Sequence, residues 1–164
     1  MTQRKGIYKI LDYPFIYELV QKVFYHKKTT QFWENLVKDH KDKTILDIGC
    51  GPGKTSLEFK NSKKYIGIDI SYKYIDDARN NFSEYGEFYC SSLEKLNEGP
   101  LRQVNNIDMV IMKGIFHHLS DHQIDILFSN LKNKLNKKAK IFSIDPTFIE
   151  GKFLSNFIVA RDRG

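Results

Sequence analysis

The chain has 164 residues, of which 41% are hydrophobic and 28% charged, a mix that excludes a disordered or collagen-like polypeptide. At about 150 residues per domain the length predicts a single domain. No apolar run approaches the roughly 18 residues that span a bilayer. The basic start Met1-Thr2-Gln3-Arg4-Lys5 is not followed by the apolar stretch of a secretory signal, so the expected location is cytoplasmic.

In chain order, residues 13–39 read as helical, with Pro14 suited to a first turn. Apolar residues recur at Phe15, Leu19, Val23 and Phe24, and again at Phe32, Trp33, Leu36 and Val37. An interruption at His26-Lys27-Lys28-Thr29-Thr30 predicts two helices rather than one. From Lys43 the pattern changes to alternating strands and helices. Thr44-Ile45-Leu46-Asp47-Ile48 is a short β-branched run that ends in a glycine turn, the signature of a buried strand. A short helix over Lys54 to Phe59 follows, then a second strand over Tyr65 to Ile70. Ser71 is placed to cap a helix from Tyr72 to about Phe82. Glu87 to Cys90 is a third, weaker strand and Ile107 to Met112 a fourth.

After the fourth strand, Ser120 and Gln123 have the spacing of a capping box. The helix they open carries Ile124, Leu127, Phe128, Leu131 and Leu135 on one face at a 3.6-residue period. A fifth strand spans Lys140 to Asp145 and is stopped by Pro146, and Phe153 to Arg161 has the pattern of one further amphipathic helix. Strands alternating with helices predict an α/β fold, a doubly wound, mostly parallel sheet with helices on both faces. Residues 1–42 form an N-terminal helical cap in this reading, 43–145 the core and 146–164 a C-terminal helix.

Net charge of +6 raises nucleic acid as a partner. The densest basic cluster, Lys132 to Lys140, falls on the exposed side and end of a predicted helix, where lysines suit the helix dipole and a solvated face. Cys50 and Cys90 stand 40 residues apart with no CxxC or Cys/His cluster around them, which argues against structural zinc or a disulfide framework.

The turn Asp47-Ile48-Gly49-Cys50-Gly51-Pro52-Gly53 lies between the first strand and its helix, where doubly wound sheets bind ligands. A phosphate-binding G-x-x-x-x-G-K-[ST] loop ending at Gly53-Lys54-Thr55 would need glycine at position 48, which is isoleucine. A dinucleotide G-x-G-x-x-G starting at Gly49 would need glycine at position 54, which is lysine. Each pattern fails by one position.

The turn resembles the first motif of class I S-adenosylmethionine-dependent methyltransferases, an acidic residue followed by G-x-G-x-G, here Asp47, Gly49, Gly51 and Gly53. Asp69, 22 residues past Asp47 at the end of the second strand, matches the family carboxylate that takes both ribose hydroxyls. A carboxylate accepts two charge-assisted hydrogen bonds from a vicinal diol, and such bonds are the strong kind. The stretch Asp108 to Asp121, with Phe116-His117-His118-Leu119 past the fourth strand, is similar to the small-molecule branch of the family, and the resemblance covers about residues 43–145.

That resemblance implies S-adenosylmethionine as cofactor. Gly49, Cys50, Gly51 and Gly53 would line it along the main chain, with Asp47 at the amino group, directly or through water. Asp69 and Ile70 would lie at the nucleoside, Ser91, Ser92 and Leu93 at the adenine, and Lys113 and Gly114 beside the methionine part. Ser91 stands where the family usually has an acidic adenine partner, and a hydroxyl binds that edge more weakly than a charged acceptor. His117 and His118 are candidate general bases, and the alternative for either is a ring that holds the turn.

The absence of an [N/D]-P-P-[Y/F] motif after the fourth strand, where Met112-Lys113-Gly114-Ile115 stands, and of a Pro-Cys nucleophile disfavours nucleic-acid modification. The expected acceptor is a small or lipid-like molecule. The family sheet has seven strands. The residues after Thr147 are too few for strands six and seven, so the sheet is expected to lack them and to leave strand five as an edge open to a second copy. The alternative function is a cofactor-binding module without catalysis that needs a partner chain.

Overall fold

The computed structural model describes residues 27–145, with side chains from residue 31 onward. The amphipathic segment before Lys27 and the C-terminal helix expected over Phe153 to Arg161 lie outside the described residues. The chain divides into two compact units, residues 1–35 and 36–164. The first described element, α1 (Lys27–Lys38), already includes Lys27 to Thr30, where the sequence pattern is interrupted. Within the first unit, Gln31 donates to Asn35 one helical turn on, at 3.3 Å.

The second unit is a five-stranded, wholly parallel sheet in the order β3-β2-β1-β4-β5. Its strands are β1 (Thr44–Ile48), β2 (Lys64–Asp69), β3 (Glu87–Cys90), β4 (Ile107–Lys113) and β5 (Leu135–Ile144). The central strand is buried along its whole length, which is why it reads as a continuous apolar run rather than an alternating one. Side chains on successive residues point to opposite faces. Leu46, Ile48, Ile66, Ile68, Val110 and Met112 therefore share one face, with Leu127 and Leu131 of α3 (Asp121–Lys132) packed over them. On the other face, α2 (Tyr72–Phe82) buries Ile75 and Ala78 and packs on β2 and β3, beside the ring series Phe59, Tyr65 and Phe88.

The predicted caps form. The Ser71 hydroxyl accepts the Tyr74 N–H at 3.3 Å and opens α2. Ser120 and Gln123 complete both halves of the capping box that opens α3. The segment Lys54–Phe59 is a 3₁₀ helix, and two further 3₁₀ turns, Leu93–Lys95 and Gly99–Gln103, join β3 to β4.

Three expectations need correction. Leu135 is not on the last turn of α3, which stops at Lys132, but opens β5. It still packs against the same core, so the helical spacing was met by a strand residue. β5 begins five residues earlier than the Lys140 start read from the sequence, because a bulge opposite Asp108 interrupts its pairing: Ile107 pairs with Leu135, but Met109 pairs with Lys140. The Asp108 carboxylate holds this irregular corner, accepting the Thr44 N–H at 2.8 Å and the Asn136 side-chain amide. Finally, the Lys132–Lys140 cluster is not a helix face. Lys132 ends α3, while Lys134 is buried and donates to the carbonyls of Leu101 at 2.7 Å and Val104 at 3.1 Å.

Lys137, Lys138 and Lys140 lie on β5, the outer strand among the described residues, where lysines blunt an edge against pairing with another chain. Among the described residues, no helix is long and apolar enough to cross a membrane. The Ser120 cap is expected to hold the start of α3. Ser120→Ala should lower unfolding free energy by about 1 kcal/mol in urea melts, leaving m unchanged.

Candidate functional site: the glycine turn and the ends of the strands

The site is built where β1, β2 and β4 end. Beyond β1 the chain must turn sharply, and Gly49, Gly51 and Gly53 all take positive φ, at 74°, 54° and 85°. The Ile68 carbonyl at the end of β2 accepts both the Gly49 N–H at 2.8 Å and the Cys50 N–H at 3.0 Å. The three glycines then serve different ends. A Cβ on Gly49 would meet Ile115 Cδ1 at 2.0 Å, and one on Gly53 would meet Ala78 Cβ at 2.7 Å and the Phe88 ring at 3.0 Å. Both positions are glycine for close packing. At Gly51 a Cβ would meet nothing within 4 Å, so the main chain there faces open space.

The Asp69 carboxylate stands beside that opening. Its Oδ2 accepts the Gly51 N–H at 3.0 Å and its Oδ1 accepts the Ser71 N–H at 2.8 Å. Each oxygen has a second lone pair, so the group keeps acceptor capacity for a diol while being held in place. One residue on, Ile70 is 77% exposed, an apolar side chain next to the clamp rather than in the core. Across from it, the Ser91 N–H donates to the Asp69 carbonyl at 2.9 Å, its hydroxyl turns to the Ser92 carbonyl at 3.2 Å, and Leu93 packs against the core. Ser91 is thereby joined to the end of β2, at the residue before Ile70.

Asp47 is 2% exposed and accepts a hydrogen bond from the Tyr65 hydroxyl. Burial is the largest influence and raises its carboxyl from 3.8 to about 6, opposed by the Tyr65 hydrogen bond and by the Lys113 charge. A positive ammonium beside it would favour the ionised form, as Lys113 already does in part. Cys50 is buried, with Sγ packed where a side chain on Gly67 would fall. Burial, and next the charges of Asp47 and Asp69, push its thiol well above the ordinary range, so it is an apolar wall rather than a nucleophile.

Past β4, Lys113 leads to Gly114, whose N–H donates to the Ile144 carbonyl at 2.8 Å. The two histidines separate here. His117 donates from Nδ1 to Asp145 Oδ1 at 2.9 Å with its side chain only 3% exposed, whereas His118 is exposed. His117 thus holds the turn, the alternative role considered for the pair. A separate open hollow lined by Lys43, Asp108, Asn136, Lys137, Lys138 and Lys140 lies at the opposite end of the strands, so this basic cluster is remote from the glycine turn.

Three contributors escaped the sequence reading: Tyr65, Ile115 and Asp145. Strand periodicity places Tyr65 on the Asp47 face, two residues before Gly67, which pairs with Asp47. That register was the available signal. Nothing local announces Ile115 or Asp145, whose partners are 66 and 28 residues away in sequence.

With this geometry in place, comparison with known proteins assigns the family. Residues 45–138, more than half of the chain, match the model of a methyltransferase domain. The chain belongs to the class I S-adenosylmethionine-dependent methyltransferase family. It is 26% identical over 130 residues to an uncharacterized methyltransferase of Bacillus mycoides, covering 76% of this chain and 58% of that protein. It is 28% identical over 116 residues to an uncharacterized protein of Haemophilus influenzae, covering 65% of this chain and 43% of the other. The chain thus spans about half the length of these curated relatives.

Among solved structures, an S-adenosylmethionine-dependent methyltransferase from Clostridium acetobutylicum shares the fold with a TM-score of 0.62, at 16% identity over 84% of this chain and 57% of that one. PKMT2 from Rickettsia typhi, solved in complex with AdoHcy, is 25% identical with a TM-score of 0.54, over 62% of this chain and 20% of that one. The cofactor of the family is S-adenosylmethionine. The residues present fit it: an open main chain at Gly51, an anchored carboxylate at Asp69 and a buried carboxylate at Asp47.

Two outcomes are expected. Asp69→Ala should weaken S-adenosylmethionine binding at least about tenfold by calorimetry, the loss of bonds to a charged acceptor, and should also lower stability by releasing two backbone N–H groups. For Asp47 the folded carboxyl is raised, so its stabilising contribution is complete below the unfolded value of 3.8 and is lost as pH rises through about 6. Asp47→Asn keeps an acceptor for Tyr65 without the charge. Between pH 4 and pH 7 it should therefore gain on the wild type by up to about 3 kcal/mol in denaturant melts without cofactor.

Proposed function

We propose that this domain binds S-adenosylmethionine in the crevice above Gly51 and catalyses methyl transfer to a small or lipid-like acceptor. The observation that carries the reading is the pairing of an unobstructed main chain at Gly51 with the Asp69 carboxylate fixed beside it. The bound cofactor supplies an already activated sulfonium methyl. What falls to the protein is to hold the acceptor in line with the S–CH3 bond, keep water out and take a proton where the acceptor carries one.

In this reading Asp69 takes the ribose hydroxyls, Ile70 covers one side of the adenine, and Ser91, Ser92 and Leu93 meet its edge. Gly49, Cys50, Gly51 and Gly53 shape the turn around the methionine part. Asp47 attracts the ammonium group from below, and Lys113 and Gly114 close the side formed by β4. Ile115 sits over Gly49 and is the apolar contact between the turn and the acceptor side. His118, exposed past the end of β4, is the proton acceptor, and His117 is its support. The remoteness of the Lys137–Lys140 hollow from this crevice supports a small acceptor over nucleic acid. In this reading the protein works in the cytoplasm, and a second copy pairing along β5 would have to overcome its lysines.

The test is calorimetric titration of the purified chain with S-adenosylmethionine, followed by transfer of a labelled methyl group to pools of hydroxyl-, amine- and thiol-bearing acceptors. Saturable binding with turnover supports the enzyme. Binding without turnover in every pool supports the alternative, a cofactor-binding module completed by another chain, and absence of binding overturns both. With an acceptor found, His118→Gln should lower kcat by about a hundredfold, in the range of general-base effects, and leave cofactor affinity unchanged.

A further inference from the structure

Tyr65 carries a polar group deep in the sheet. It lies on β2, 2% exposed, and its hydroxyl donates to Asp47 Oδ2 on the neighbouring strand β1. Asp47 pairs with Gly67, so Tyr65 is its diagonal neighbour on the same face, a span that an aromatic side chain covers. The ring is fixed on several sides. Phe59 stacks with it at 6.3 Å between centroids, Phe88 tilts against it at 6.1 Å, and a Cβ on Gly86 would meet its Cδ1 at 2.6 Å. A phenol packed in this way offers its proton in one direction.

Any acceptor would satisfy a buried phenol. Here the acceptor is a carboxylate, and burial, the largest influence on Asp47, drives it toward its neutral form. Two influences favour the charge, first the Tyr65 hydrogen bond and then Lys113 at the end of β4. Asp69 on β2 and Glu58 on the 3₁₀ helix oppose it. The Cys50 thiol nearby is pushed up by burial and stays neutral. Burial and then the Asp47 charge also push the Tyr65 phenol up, so it keeps its proton and serves Asp47 as a donor.

We propose that Tyr65 is a positioning residue for cofactor binding: its packed phenol holds the Asp47 carboxylate in one orientation and in its charged form, ready for the ammonium group of S-adenosylmethionine. The step rests on the cofactor reading above. In it Asp47 takes the ammonium, and Tyr65 acts on the cofactor only through Asp47. A neutral Asp47 offers the ammonium no charge, so binding follows the fraction of Asp47 that is ionised.

The experiment uses the full chain with carbon-13 in its aspartate carboxyls, titrated without cofactor from about pH 4 to about pH 8.5, a span around a carboxyl raised to about 6. The Asp47 signal is the one that Asp47→Asn removes. Tyr65→Phe keeps the ring between Phe59 and Phe88 and removes only the donor. It should raise the Asp47 midpoint by about one pH unit or more, the loss of a hydrogen bond to a charged group. Calorimetric titration with S-adenosylmethionine then reads the consequence. Tyr65→Phe should weaken binding at least about fivefold at pH 6 and leave it within about twofold of the wild type at pH 8, as the ionised fractions require.

An unmoved Asp47 midpoint overturns the proposal. So does a loss of affinity that is the same at both pH values, which is what loosened packing alone would give. If Tyr65→Phe does not fold, biosynthetic replacement of tyrosine by 3-fluorotyrosine keeps the ring and makes the phenol a stronger donor. It should lower the Asp47 midpoint, and a midpoint left in place overturns the proposal equally. Failure of the cofactor reading is told apart by the wild type, which would then not bind S-adenosylmethionine at either pH.

Discussion

The crevice depends on one carboxylate. Asp69 receives a backbone N–H from the glycine turn on one oxygen and a backbone N–H from the start of α2 on the other. Both bonds are charge-assisted, and both satisfy main-chain donors that a sharp turn and a helix start would otherwise leave to water. The result is a turn whose main chain is held open rather than collapsed onto a side chain. A residue without a side chain at Gly51 is needed for the opening, and the clamp keeps that opening next to a carboxylate with acceptor capacity left.

The two ends of the sheet are finished by different chemistry. At the N-terminal ends, Asp108 and the buried ammonium of Lys134 neutralise loose backbone and amide groups, which seals the irregular corner around β5. These are structural uses of charge, with partners that leave little for a ligand. At the C-terminal ends the polar groups are held but not exhausted. Asp69 has acceptor capacity left, and Asp47 is buried and accepts from the Tyr65 phenol, its carboxyl raised by burial. A nearby positive group offsets the desolvation that burial imposes on this carboxylate, as the Lys113 charge does in part.

The turn after β4 is held by contacts on both sides. Ile115 fills the space over Gly49, so the turn is covered there by an apolar side chain. The Phe116 ring stacks with Phe128 of α3, at a centroid distance of 6.3 Å, and ties the turn to the helix that the capping box orients. Within that frame His117 is locked by Asp145 and His118 faces outward. Two identical neighbouring residues thus differ in how far their rings are buried.

The sequence by itself determined the alternation of strands and helices, both helix caps and the place of the glycine turn, because each is written in residues close together along the chain. β1, α2 and β3 fall on the residues that periodicity and capping mark out. Asp47, Asp69 and the three glycines were legible because their spacing is set by one strand, one turn and the next strand. Only the tertiary structure decided that Leu135 belongs to β5, since a strand residue and a helix residue at that spacing can reach the same core. It also decided the bulge at Asp108, the Tyr65 bond to Asp47, the Ile115 cover over Gly49 and the Asp145 hold on His117. Those contacts join separate strand ends, and local propensity carries no information about which side chains meet once the strands are laid in register.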